Sequence, residues 1–237
     1  MFFCSGADSV FASLYAADPA GRGPGLVLCP SWGHELRQTL NLCHSLARRL
    51  ALSGGAGLVL HWPGHGESGG EPENTDVVRM AAAATTGLRE ARRRAPLPHW
   101  GLVGIRVGAA AVALAAEAAG AMSLLLIAPA LDPVEYFSKL EHASRRGSLG
   151  LGSREGWAFA HPVPRLESHP DVVAAVAGFD GPVACVVYES DPVDPLLDGA
   201  EVLAVPGSWD HTKGSTNPKL VDAALGWTRS LLEPAHG

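Results

Sequence analysis

The sequence predicts an α/β fold: a mostly parallel central sheet flanked by helices. Two observations carry that prediction. Short runs such as GLVLC (25–29) and GLVLH (57–61) are apolar at nearly every position, the pattern of strands buried on both faces of a parallel sheet. These runs alternate with helical stretches of about ten to twenty residues, the order that places helices against such a sheet. The chain has 237 residues, 47% of them hydrophobic and 18% charged, enough for one sizeable core and too apolar for a disordered chain.

Each element follows from local chemistry. Residues 1–16 read as a β-hairpin turning at Gly6, Ala7 and Asp8. The strand at 25–29 leads to a helix at about 37–52, with Leu42, Leu46 and Leu50 on one face, stopped by Gly54 and Gly55. The strand at 57–61 runs into the turn WPGHGESGG. Asn74, Thr75 or Asp76 caps a long helix that ends before Pro96, and its final Arg92, Arg93 and Arg94 suit the negative end of the helix dipole. A strand at 100–105, a helix at 107–119 and a strand at 122–128 follow. Strands at 182–187 and 201–205 and a helix at about 218–232 complete the alternation.

The segment 132–180 breaks that order. It carries SRRGSLGLGSREGW and HPVPRLESHP, rich in Gly, Ser, Arg and Pro, and reads as a lid inserted in a single domain spanning 1–237.

Several functions are disfavoured. A net charge of −6 without a basic stripe argues against a nucleic-acid partner. The stretch 107–131 imitates a membrane span, but Gly120 divides it into a helix and a strand, each shorter than the roughly 20 residues a bilayer requires. Cys4, Cys29, Cys43 and Cys185 form no CxxC pair, and the N-terminal MFFCSGADSV lacks a signal-peptide pattern, so a cytoplasmic, reduced chain is expected. His61 and His65 are separated by a turn that forbids a shared helical face, so no metal and no cofactor are expected.

In open α/β sheets, ligands bind beyond the carboxyl ends of the strands. The residues there are Cys29 to Glu35, His61 to Gly66, Arg106, Asp132, Asp191 and His211. Four motifs among them fall in a telling order. HWPGHGESGG resembles D-x-P-G-x-G-x-S, and GIRVG resembles the nucleophile elbow G-x-S-x-G. YESDPVDP resembles an acid turn that points to Asp191, ahead of Asp194, and WDHTKG resembles a histidine loop that points to His211. Over nearly its full length the chain resembles the α/β-hydrolase superfamily, whose chain order is elbow, acid, histidine. More narrowly, GIRVGA with the acid-bearing GHEL loop resembles the hydrolase-like proteins associated with bacterial exosortase and exopolysaccharide gene clusters.

The resemblance implies that Arg106 stands where a serine nucleophile would, with Gly104 and Gly108 clearing space around the turn. A guanidinium stays protonated and cannot attack a carbonyl, which excludes an acyl-enzyme at this position. It can hold an anion. One reading makes Arg106 an anion clamp, together with the amides of Val107 and of Ser31 or Trp32, while His211 oriented by Asp191 acts as general base. The other has Arg106 paired with Asp191 or Glu35 in an inactive site. A third places the nucleophile at Ser31 or Cys29. Trp32, Trp62 and Trp209 are expected to wall the pocket. The expected partner is a small acyl, ester or carboxylate-bearing substrate or ligand, and a homodimer is compatible with the sequence.

Overall fold

The computed structural model describes residues 1–16, 21–145, 171–191, 197, 199–209 and 218–232. Within them lie eight strands: β1 (Phe2–Ser5), β2 (Asp8–Ala16), β3 (Gly25–Cys29), β4 (Ala56–Leu60), β5 (Trp100–Ile105), β6 (Leu124–Ile127), β7 (Val183–Tyr188) and β8 (Glu201–Val205). Six α-helices accompany them: α1 (Leu36–Leu52), α2 (Val77–Arg94), α3 (Val107–Ala119), α4 (Pro133–Arg145), α5 (Val172–Ala177) and α6 (Pro218–Ser230). The strands form one sheet in the order β1-β2-β4-β3-β5-β6-β7-β8. Only the pairings of β2, with β1 and with β4, are antiparallel.

Alternation along each strand divides the core between the two faces. Leu26, Leu28, Val103 and Ile105 point to the side covered by α1 and α6, where they meet Leu42, Leu46, Leu50 and Trp227. Val27, Cys29 and Leu102 point to the side covered by α2 and α3, with Met80, Leu88 and Val112. Both faces are dry, which is why the strand sequences show no polar alternation.

The order of the strands positions the site. From β3 the chain crosses first to β4 on one side and later to β5 on the other, so the sheet reverses direction between β3 and β5. Such a switch point leaves a crevice beyond the strand ends. The register pairs Cys29 with Gly104, so the loop after β3 and the turn after β5 emerge side by side.

Several local expectations resolve into specific contacts. Asp76 is the N-cap of α2, accepting from the Arg79 amide at 2.8 Å. The basic end of α2 does more than offset its own dipole: Arg92 donates to the carbonyls of Ala119 (3.0 Å) and Gly120, closing the C-terminus of α3. The segment 132–180 contains α4 and α5, with Tyr136, Phe137, Val172 and Val176 buried in the core, while 146–170 lies outside the described residues. All four cysteines are free and only Cys4 is exposed. Among the described residues no helix is long and apolar enough to cross a membrane, and no group of His, Cys, Asp and Glu is arranged to hold a metal ion.

Candidate active site

The turn between β5 and α3 is the structural centre of the site. Arg106 has φ 55° and ψ −125°, a conformation that L-residues rarely adopt. Two glycines make it feasible. A Cβ at Gly104 would come 2.4 Å from Ala109 Cα, and one at Gly108 would come 2.3 Å from the Pro30 carbonyl oxygen. Any larger side chain would push α3 off the sheet or collide with the loop after β3.

The second non-glycine residue with positive φ among the described residues is Ala128 (φ 43°), at the end of β6. The two strained turns interlock. Arg106 N donates to the Ile127 carbonyl (3.0 Å), Ala130 N donates to the Arg106 carbonyl (3.1 Å), and Arg106 Nη1 donates to the Ala128 carbonyl (2.9 Å). The two strained turns touch beyond the carboxyl ends of the neighbouring central strands β5 and β6, where ligands of open α/β sheets bind.

Arg106 is lifted above the sheet and faces Glu35. Its Nε lies 3.3 Å from Glu35 Oε1, and its guanidinium carbon sits 5.2 Å from the Trp209 ring centroid. The Glu35 carboxylate is fully buried, so it requires donors on both oxygens. Oε1 also accepts from Trp209 Nε1 (3.1 Å), and Oε2 accepts from Ser31 Oγ (2.9 Å) and the Tyr136 hydroxyl (2.8 Å). Burial and the Glu35 charge push the Tyr136 phenol well above its ordinary range, which keeps it a donor.

A guanidinium has five N–H donors. Glu35 takes one and Ala128 another, so three have no protein acceptor among the described residues. The side chain is 21% exposed, so it is not sealed from solvent by the described residues.

The remaining expected residues take varied places. The Ser31 amide is not available to an anion, because it donates to Thr39 Oγ1 at 2.9 Å. Ser31 Oγ is fully buried and engaged by Glu35 and Tyr136, and burial pushes the Cys29 thiol far up, so neither presents a reactive oxygen or thiolate to the crevice. Trp62 is no wall of a pocket: it is fully buried and donates to the Pro30 and Ser31 carbonyls, supporting the loop from beneath. Trp32 is buried against His65 and Phe137, and its indole N–H has no partner among the described residues. Trp209 is half-buried on the guanidinium face. Val107 opens α3 and is buried. Asp191 is half-buried just beyond β7, accepting from Ser190 Oγ at 3.2 Å. His211 and Asp194 lie outside the described residues.

Sequence reasoning missed Tyr136 and Thr39. Tyr136 sits in the segment read as a lid, and its signal was the Tyr-Phe pair in otherwise polar surroundings. Thr39 gave no signal, since a threonine inside a helix is ordinarily unremarked.

No protein-family model and no curated protein sequence matches the chain. Solved structures do. Est1E from Butyrivibrio proteoclasticus, with ferulic acid bound, superposes with a TM-score of 0.63 at 17% identity, covering 95% of this chain and 98% of that one. The proline iminopeptidase of Mycobacterium smegmatis gives 0.65 at 12% identity, covering 97% of each chain. A carboxylesterase of the thaumarchaeon Nitrososphaera gargenis gives 0.65 at 14%, covering 96% and 97%. With the strand order and the strained turn after β5, these likenesses identify the architecture: the chain has the α/β-hydrolase fold.

Proposed function

We propose that the chain acts on a small acyl, ester or carboxylate-bearing molecule without a serine nucleophile, with Arg106 as the anion clamp and His211 with Asp191 as base pair. The observation that carries this reading is the open edge of Arg106. Among the described residues three of its N–H groups have no protein acceptor, which supports a role in holding an anion. Similarity to a carboxylesterase and to a protein holding ferulic acid, a carboxylate, supports the substrate class.

In the proposed reaction, His211 takes a proton from water as the water oxygen attacks the acyl carbon. Arg106 holds the oxyanion that develops on the carbonyl oxygen. The carbon–oxygen bond to the leaving group then breaks, and His211 returns the proton to it. Asp191 keeps the imidazole oriented, as its place just beyond β7 allows.

A second reading, binding without turnover, is favoured by one observation: the buried Glu35 carboxylate already pairs with Arg106, which lowers the net charge that the clamp offers. Wild type, His211→Ala and Arg106→Ser, assayed with short p-nitrophenyl esters and a serine-reactive fluorophosphonate, separate the two. The proposal expects unlabelled wild-type turnover that falls about 10²–10⁴-fold in His211→Ala. It also expects Arg106→Ser to become labelled at position 106. An inert wild type, with Arg106→Ser neither active nor labelled, transfers the case to the binding reading.

A further inference from the structure

A second concave surface lies away from the elbow, where Tyr15 of β2 faces α1. The groove holds about 380 Å³ and is lined by Tyr15, Asn41, His44, Ser45, Arg48 and Arg49. Its volume falls within the range of small-molecule sites. Among the described residues no carboxylate lines it, although the whole chain carries a net charge of −6.

The helix period explains how the donors gather. Positions 41, 44, 45 and 48 are three, four and seven residues apart and share one face of α1. The opposite face carries Leu42, Leu46 and Leu50 into the core, so the polar stripe is fixed in place by packing.

The charged groups differ. Arg49 is neutralised by Asp222 at 2.7 Å. Arg48 forms no ion pair among the described residues. Its guanidinium carbon is held 5.8 Å from the Tyr15 ring centroid, a contact that orients the cation without cancelling its charge. Tyr15 is itself fixed, its hydroxyl lying 3.0 Å from His44 Nδ1. Burial and the nearby Arg48 hold His44 below its ordinary value, so the ring is neutral at pH 7. A neutral imidazole that accepts the Tyr15 O–H at Nδ1 carries its own N–H on Nε2.

We propose that this groove binds a phosphate group, with Arg48 as the charged anchor and Ser45, Asn41 and His44 as neutral donors. The assignment rests on an arginine with no ion pair among the described residues, surrounded by donor-capable side chains. Several acceptor oxygens around one centre match that set better than the two of a carboxylate. The inference is independent of the function proposed for Arg106.

Calorimetric titration of the full chain at low salt, with inorganic phosphate, glycerol 3-phosphate and acetate, tests it. Saturable one-to-one phosphate binding is expected, at least tenfold weaker in Arg48→Gln and in Ser45→Glu. Arg93→Gln, at the exposed end of α2 and outside both sites, should stay within about twofold of wild type. Ser45 is exposed, so Ser45→Glu blocks the groove without touching the core, and thermal melts confirm that each variant is folded. Glycerol 3-phosphate binding more tightly than phosphate identifies an organic phosphomonoester as the ligand, while equal affinities identify the phosphoryl group alone. Failure of wild type to saturate, undiminished binding by Arg48→Gln, or acetate binding as tightly as phosphate in Arg106→Gln, where the elbow no longer holds a carboxylate, overturns the proposal.

Discussion

Two arginines in this chain meet buried carboxylates, and they do so in opposite ways. Arg79 of α2 clasps Asp8 of β2 with both its Nε (2.6 Å) and Nη2, and gives Nη1 to the Asn74 carbonyl (2.9 Å). Every nitrogen of that guanidinium is engaged, the fork-on-fork geometry of a structural pin. Arg106 touches Glu35 through Nε alone at 3.3 Å and leaves Nη2 without a protein acceptor among the described residues. Its carboxylate, by contrast, also accepts from Ser31, Tyr136 and Trp209, two donors on each oxygen among the described residues. Asp8 therefore exists to hold Arg79. Glu35 is held by its surroundings and in turn aims Arg106. Arg106, set on a strained turn at the switch point of the sheet, is pinned less completely than Arg79 by the described residues.

The contrast can be broken or sharpened by experiment. The largest effect should come from Glu35→Ala, which removes the shared acceptor of the buried Ser31 and Tyr136 hydroxyls and the half-buried Trp209 indole, and the partner of Arg106. A loss of about 3–5 kcal/mol in urea denaturation is expected, and a loss below about 1 kcal/mol would mean that Glu35 is not the hub described. Asp8→Ala should cost less, about 1–3 kcal/mol, because Arg79 is 31% exposed and can turn to water. It should leave every property of the elbow unchanged.

Acid should weaken the fold more gently. His44, His61 and His99 all sit below the ordinary value of 6.5, first because of burial and then because of neighbouring positive groups. The native state therefore binds fewer protons than the unfolded chain just below that value. Their contribution is complete above about pH 6.5 and is lost as pH falls through the depressed native values. Thermal melts between pH 7.5 and 5 should show a falling midpoint, with a shallower fall in His99→Gln. A midpoint that rises toward pH 5 would contradict the assignment.

Much of the frame was legible in the sequence because it depends on period and punctuation. The helix at 107–119 matches the observed one residue for residue, since Gly108 and Gly120 bracket an unbroken run of small apolar residues. The elbow was legible because only glycine fits at 104 and 108. Side-chain direction in the loops was not. Trp62 reads as a pocket wall from its position after β4, yet packing turns it inward beneath the Pro30 carbonyl. The Ser31 amide reads as an anion donor until Thr39, on the first turn of α1, takes it. Tyr136 was hidden because the Gly- and Pro-rich composition further along its segment suggested a lid. Its own stretch folds as a helix whose buried face completes the Glu35 cage. Each miss concerns a side-chain contact between different elements, which periodicity does not encode.

The central claim is that the spare edge of Arg106 recognises an anion. Calorimetric titration of wild type, Arg106→Gln and Arg79→Lys with acetate, benzoate and ferulate tests it most directly. The account predicts saturable binding by wild type and Arg79→Lys, and at least a tenfold loss in Arg106→Gln while that variant remains folded. Equal binding by wild type and Arg106→Gln, or none by either, would contradict it.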